Sequence, residues 1–412
     1  MRSTAPWSPA RTAALSALWS ASSLQWFVLL PVLLPQRISQ LVPPDARGGA
    51  LGLLLSLSAL IPLLLPPLVG YGSDRWGMRW PLIAAGSALD LAGVLWLGHA
   101  HSFMALLLSL LVVQLGSNLA ISPYSALIPQ LFPADRRGSA SGALAAAQLL
   151  GDLLGGAVVL AVHGTAARCS VIALGLALGS ALSLAALGGR AEGRPLLPPR
   201  PALWLFSDRA FLLLFLSRFL FGLGEYSVQP YLQFYLAQVV GRFQLGPLLL
   251  RSPAAATGLL LVVLTLAATF SSLWAGRRSD RWGRIPLLRW AGWWMAATAL
   301  LLLLARSFGA VLAVAVLFGV GYGAFASVDW ALGSDLLPDR TRLGRDMGLW
   351  HISLVAPQLL EAPEGRLFDL GNRLAPNLGF AWLFGIAALS LWLAVFLLGR
   401  IAPRSPAARP GW

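Results

Sequence analysis

The sequence predicts an all-α membrane protein of twelve transmembrane helices in two pseudo-symmetric six-helix bundles, on three observations. Hydrophobic residues make up 57% of the 412 residues and charged residues 11%, less than half the ~25% typical of a soluble domain. Apolar runs of about 20 residues, the length that crosses a bilayer core of ~30 Å, recur along the chain. The pentapeptide SDRWG occurs twice, at 73–77 and 279–283, 206 positions apart.

The first half predicts spans over 13–35, 49–70, 80–98, 103–124, 139–162 and 169–189. The second half predicts spans over 210–238, 254–275, 285–305, 308–332, 347–362 and 378–399. The eleventh is short and holds Pro357 and Glu361. After it, residues 361–377 (EAPEGRLFDLGNRLAPN) carry five charges. These predict either a truncated eleventh helix with an elaborated external loop or a drift in activity. The first apolar run is long enough to span, so the N-terminus does not read as a cleaved signal peptide. Between the sixth and seventh spans, 188–208 is rich in Pro, Gly and Arg, the composition of a linker. The predicted organisation is a six-helix bundle at 1–189, a cytoplasmic linker at 190–207 and a second bundle at 208–412.

All 30 basic residues are arginine, and against 16 acids they give a net charge of +14. They sit in twos and threes between apolar runs, which argues against a nucleic-acid surface. With the N-terminus inside and twelve alternating spans, inside segments hold 21 arginines and outside loops eight, with Arg218 alone within a span. Basic residues favour the cytoplasmic side, so both termini are expected there, in the plasma (inner) membrane.

Both SDRWG copies follow the second span of their half. PYSALIPQLFPADRRG (123–138) also aligns with VDWALGSDLLPDRTRLG (328–344), so the chain reads as two copies of one six-helix unit. Parallel repeats of this kind place a substrate site near the membrane midplane, at the repeat interface. GYGSDRWGMR (70–79) and GRRSDRWGRI (276–285) resemble the loop signature of the major facilitator superfamily, with Met78 and Ile285 where further basic residues are expected. The resemblance implies a gate built from Gly70, Asp74, Arg75, Gly77 and Arg79 in one half and Gly276, Asp280, Arg281, Gly283 and Arg284 in the other. Asp74 can sit at the positive N-terminus of a helix in the opposite half, where an anion gains roughly 0.3–1 kcal/mol. Arg75 and Arg79 can pair with Asp335 or Asp346. Gly70 and Gly77 allow close approach and a tight turn. Asp74→Asn is expected to slow transport in a protein that still folds. A softer resemblance, carried by 319–338 (GVGYGAFASVDWALGSDLLP) and 217–236 (SRFLFGLGEYSVQPYLQFYL), is to glycoside–pentoside–hexuronide symporters and their sucrose-transporter relatives. Drug–proton antiporters of the superfamily carry a Gly-Pro pair in helix 5; here 151–159 reads GDLLGGAVV, which argues modestly against efflux.

An ionised group mid-membrane costs roughly 2.5–3.5 kcal/mol on insertion scales and therefore faces a cavity or a partner. Five candidates stand out for ion coupling: Asp90, Asp152, Arg218, Glu225 and Asp329. Arg218 and Glu225 are two turns apart on one face, about 10 Å along the helix, and each looks to another group. Burial disfavours the charged form of a carboxyl, which suits Glu225 to load a proton on one side and release it on the other. The competing reading is a fixed ion pair or a helix–helix hydrogen bond. Asp329 either pairs with an arginine or lines the cavity; Asp152, among glycines, and Asp90 read more readily as packing contacts. Gln25, Trp26, Tyr226, Gln229, Gln233 and Trp330 are substrate candidates, since flat rings and amides suit a sugar. Tyr231 belongs to the same aromatic and amide group. Trp and Tyr also populate membrane interfaces.

No cofactor is expected, because no GxxxxGK[ST] loop occurs. Neither is a metal: His99, His101, His163 and His351 do not cluster, and the single cysteine, Cys169, excludes a cysteine-based site or an intrachain disulfide. No nucleophilic constellation suggests an enzyme. The expected function is secondary active transport of a small, sugar-like solute by alternating access, coupled to a proton or monovalent cation, by a monomer in the lipid bilayer. The alternative is efflux of a drug or lipophilic compound by the same fold.

Overall fold

The computed structural model describes residues 8–125, 127, 131–132, 137–188, 209–336 and 352–401. Within these helices, the side chains of Tyr71, Asp74, Arg75, Trp76, Arg137, Asp280, Trp330, Ala331, Ser334, Asp335 and Leu336 lie outside the description. The predicted linker, 190–207, lies outside it as well, as do Arg340, Arg342, Arg345 and Asp346.

Helix α1 runs Pro9–Val28, loosens into a π-turn at Leu29–Leu33 and continues to Leu41. The other helices of the first half are α2 (Arg47–Trp76), α3 (Arg79–Gly98), α4 (Phe103–Ser125), α5 (Arg137–Ala161) and α6 (Thr165–Leu187). In the second half, α7 runs Arg209–Tyr226 and continues through short turns to Val240. A hairpin of β1 (Phe243–Leu245) and β2 (Leu248–Leu250) follows. Then come α8 (Pro253–Trp282), α9 (Arg284–Leu301), α10 (Phe308–Leu336), α11 and α12 (Leu378–Leu398). Helix α11 is helical from Ile352 to Leu374, with a 3₁₀ stretch at Ala356–Leu360. Among the described residues, ten helices are long and apolar enough to cross a membrane; α9 and α11 are not among them.

The sequence reading requires two corrections. The charged run after the predicted eleventh span is not a loop: Glu361–Leu374 is helical. Glu361 and Glu364 occupy its first turn and Arg373 its last, the distribution a helix dipole favours. The SDRWG copies are not loops either. Both α2 and α8 run through the tryptophan and stop at the glycine, where Gly77 (φ 66°) and Gly283 (φ 83°) adopt positive φ. A side chain there would be strained, which explains why each copy ends in glycine.

Packing within each half repeats with an offset of six helices. In the first half α3 packs on α4 and α6, α4 on α2, and α1 on α5 and α6. In the second, α9 packs on α10 and α12, α10 on α8, and α7 on α12 and the 3₁₀ stretch of α11. Small residues let the backbones approach, as in membrane helix pairs: a Cβ on Gly116 of α4 would overlap the backbone of Asp90 in α3.

The apolar core has a distinct arrangement along the helices. Call the near end the one where Pro9, Gly77, Gly283 and Ile401 lie, and the far end the opposite one. Among the described residues, the core at the near end is split. One cluster belongs to the first half (Leu15, Leu18, Ile83, Tyr124, Leu187) and another to the second (Phe211, Phe221, Leu288, Val328, Leu398). Toward the far end a single cluster joins both halves, from Val28, Leu34, Leu54 and Leu110 to Tyr231, Leu260, Phe308 and Phe384. The halves meet there through α2 against α11 and α5 against α8. Gly258 packs on Val159, and Gly156 on Val262. At the near end, a Cβ added to Gly70, Gly142 or Gly276 would meet nothing within 4 Å.

Candidate functional site

Two prolines create the polar clasps of the far end. Pro35 has no N–H to give the carbonyl of Pro31, one turn earlier, and α1 opens into its π-turn there. With its amide nitrogen turned toward α1, Gln233 of α7 donates to the Pro31 carbonyl (3.2 Å) and the Val32 carbonyl (2.8 Å). Pro363 likewise leaves the Leu359 carbonyl of α11 without its helical donor. The Ser56 hydroxyl of α2 lies 3.0 Å from the carbonyls of Leu359 and Gln358, and accepts 2.8 Å from the Ala362 N–H. Each half thus serves a carbonyl that proline orphaned in the other. Beside this clasp the backbones touch: a Cβ on Gly52 would overlap the Glu361 carbonyl, and one on Gly365 the Gly48 carbonyl. Asp369 of α11 accepts from the N–H groups of Gly48 (2.8 Å) and Gly49 (2.7 Å) at the start of α2, where four N–H groups lack helical partners and an anion is favoured.

Just to the near side of the clasps, ionisable and hydroxyl groups converge between the halves. Glu225 of α7 is half-buried and hydrogen-bonded to Tyr322 of α10. The next residue, Tyr226, is hydrogen-bonded to Gln358 of α11. Asp152 of α5, from the other half, is half-buried within electrostatic reach of Tyr322. This group can accept hydrogen bonds, exchange protons and attract a positively charged ligand.

The other predicted residues are placed differently. Arg218 Nε of α7 lies 2.9 Å from Asp329 Oδ2 of α10, both almost fully buried. Asp329 is therefore the partner of Arg218. Gln25 Nε2 donates 2.8 Å to Asp90 Oδ1, again buried and wholly within the first half. Each of these pairs ties helices together within its own half, Gln25–Asp90 in the first and Arg218–Asp329 in the second. Gln233 serves the far-end clasp. Trp26 and Gln229 are half-buried. The Trp330 side chain, and those of Asp74, Arg75 and Asp280, lie outside the described residues. Arg79 is buried, while Arg281 and Arg284 are more exposed.

Sequence reasoning does not single out Tyr322, Gln358, Ser227 or Glu364, and it notes Glu361 only as a charge within the short eleventh span. The signal for the two carboxyls is the charged run 361–377, from which the sequence predicts a truncated helix with an external loop or a drift in activity rather than a buried site. Among the described residues no group of three or more His, Cys, Asp or Glu could hold a metal ion.

A family profile described as Major Facilitator Superfamily matches residues 2–156 and 214–411. Among curated proteins, a class G tetracycline resistance protein of Vibrio anguillarum is 41% identical over 76 residues, 17% of this chain and 19% of that protein. The multidrug resistance protein MdtH of Aeromonas hydrophila is 33% identical over 136 residues, covering 32% and 33% of the two chains. The fosmidomycin resistance protein of Escherichia coli is 32% identical over 117 residues, 28% of each. The matched segments thus span a third or less of those relatives. Among solved structures, a peptide transporter POT in complex with alafosfalin superposes with a TM-score of 0.74 at 16% identity, covering 95% of this chain and 94% of that one. A bacterial homologue of the iron transporter ferroportin in an inward-facing state gives 0.69 at 18%, covering 95% and 98%. At such identities the likeness is one of fold.

Proposed function

Because the chain belongs to the Major Facilitator Superfamily, we propose that it is a proton-coupled secondary transporter that works by alternating access. In this reading α9 and α11 cross the membrane with the other ten helices. Two six-helix bundles, 1–189 and 208–412, are joined by a cytoplasmic linker at 190–207. The arginine bias supports both termini in the cytoplasm, and in this reading the near end is the cytoplasmic one. The protein acts as a monomer in the plasma (inner) membrane.

The observation that supports the proposal is the core of the described residues: joined across the halves at the far end and in two separate clusters at the near end. Rigid halves with that asymmetry have a second arrangement available, in which the near end joins and the far end parts. Glu225, hydrogen-bonded to Tyr322, and Asp152, within electrostatic reach of the same Tyr322 from the other half, are the coupling groups. The SDRWG helix ends are the gate that would close the near end.

The cargo is proposed to be an amphiphilic, drug-like compound moved outward. The three resistance proteins among the relatives support that direction, although Gly155 and Gly156 lack the proline of the drug-antiporter pattern. Carboxyls beside Tyr226 and Tyr322 suit a ligand with an apolar body and a positive group. A second reading, a sugar-like polar solute taken up with a proton, draws on the pairing of Tyr226 with Gln358 and the nearby Gln229. Purified protein in proteoliposomes under an imposed pH gradient separates the two. The first reading predicts proton-driven accumulation of a fluorescent lipophilic cation and none of labelled sugars. No solute movement under either a pH or a sodium gradient would refute both.

A further inference from the structure

We propose that Glu361 and Glu364 form a proton-binding site in the seam between α2, α7 and α11, loaded while the far end is shut and emptied when it opens. The proposal rests on the alternating-access reading and adds a second titrating site, one helix away from Glu225.

The two carboxyls lie three residues apart on α11, one turn of the helix. They are 2% and 4% exposed, which leaves water almost no access. Neither is in an ion pair among the described residues, and one oxygen of each has no hydrogen-bond partner. The hydroxyl of Tyr231, fully buried on α7, also has no partner. It lies 2.9 Å from where a Cβ on Gly365 would stand, so it points at the same turn of α11. Three unpartnered polar atoms from two helices therefore meet in one dry place, and two bare carboxylates there would be costly as well as mutually repelling.

The hydrogen-bond inventory places the proton. Ser227 Oγ lies 2.7 Å from the Leu223 carbonyl and 2.8 Å from Glu364 Oε1. A hydroxyl has one hydrogen and a carbonyl can only accept. Ser227 donates to Leu223, and the second contact then needs a hydrogen from the carboxyl. A protonated Glu364 donates to Ser227 Oγ and satisfies both; an ionised one leaves an acceptor facing an acceptor.

The charged and titratable surroundings are compatible. On α11 itself, Asp369 is engaged by the N–H groups of Gly48 and Gly49, and Arg373 reaches Asp45 at the exposed rim, 3.8 Å away. Arg366 lies toward Gly49. From α7 come Glu225, Tyr226 and Tyr231; Arg47 stands at the start of α2, and the stretch 48–59 behind it holds no titratable residue, nor does α12. Arg218, further toward the near end of α7, is held by Asp329, and among the described residues no cation is positioned to replace the proton. When the far end opens, water reaches the pair and the proton can leave toward that side.

The test uses the full chain in lipid nanodiscs, with Cys169→Ser and spin labels at Pro44→Cys and Ala375→Cys, both exposed at the far end. Electron–electron distance distributions are recorded from acid to alkaline pH. The short, shut population should give way to a longer one as pH rises, and Glu361→Gln with Glu364→Gln, neutral groups of the same shape, should hold the short distance throughout. Infrared difference spectra supply a second readout: the protonated-carboxyl C=O band should fall as the far end opens and be reduced in Glu364→Gln. A label pair that exchanges between both distances regardless of pH overturns the proton site and leaves alternating access standing. A double variant that keeps the wild-type pH response, or a short distance restored by sodium at alkaline pH, also overturns it. A pair that never lengthens under any condition overturns both.

Discussion

Arg218 and Asp329 illustrate how a single residue can be visible in a sequence while its role is not. Both stand out as charges within apolar spans, since such groups must find a partner or a cavity. Which partner depends on the facing of α7 against α10, 111 positions apart, and periodicity is silent on that. The 2.9 Å contact makes them a fixed tie inside one half. Removing one member leaves an uncompensated buried charge, at a cost of about 3–5 kcal/mol. Asp329→Ala should therefore lower the thermal unfolding midpoint in detergent markedly, and an unchanged midpoint would show that the pair contributes nothing. Glu225 is the contrasting case. It is half-buried, hydrogen-bonded to Tyr322 and free of any ion pair among the described residues. Glu225→Gln should abolish gradient-driven transport while leaving substrate counterflow, which needs no net proton movement. Loss of both activities would point to substrate binding rather than coupling. Tyr322 itself, in a run of glycines, gave no sign of its place.

Among the elements, most of the helices were legible because apolar length and turn residues act locally. The exceptions have local physical causes as well. The SDRWG copies look like loops because they are charged, yet they form the last turns of α2 and α8, and only the terminal glycine leaves the helix. Helix α11 looks interrupted because its charges are counted without their partners: Asp369 is held by the start of α2, and Glu364 by Ser227. The prolines at 35 and 363 were readable as helix disturbances, whereas their consequence, two carbonyls served from the opposite half, requires contacts across hundreds of positions. Those clasps suggest two expectations. Ser56→Ala with Gln233→Leu leaves buried carbonyls unserved, a penalty of about 1–3 kcal/mol each, and should shift the molecule toward the state whose far end is open. Faster labelling of a cysteine placed at Leu53 would show it; unchanged labelling would mean the clasps do not hold the far end shut. Gly52→Leu, whose side chain collides with the Glu361 carbonyl, should prevent closure of that end and stop transport in a protein that still reaches the membrane.

At the scale of the whole molecule, the duplicated pentapeptide carried the essential information. It implied two related halves, and the packing pattern of α1–α6 recurs in α7–α12. What the repeat left open was which end the halves share, because sequence symmetry treats both ends alike. The core of the described residues breaks that symmetry, with one apolar cluster toward the far end and two at the near end. The cargo was the least legible feature, since rings and amides suit a sugar and an amphiphile alike. The central claim is that the two ends open in turn. It is tested most directly by measuring two label pairs in the Cys169→Ser protein, Gly142→Cys with Arg277→Cys at the near end and Pro44→Cys with Ala375→Cys at the far end, with and without a proton gradient and a transported compound. The account predicts that one distance shortens as the other lengthens. Distances that change together, or a near end that never closes, would contradict it.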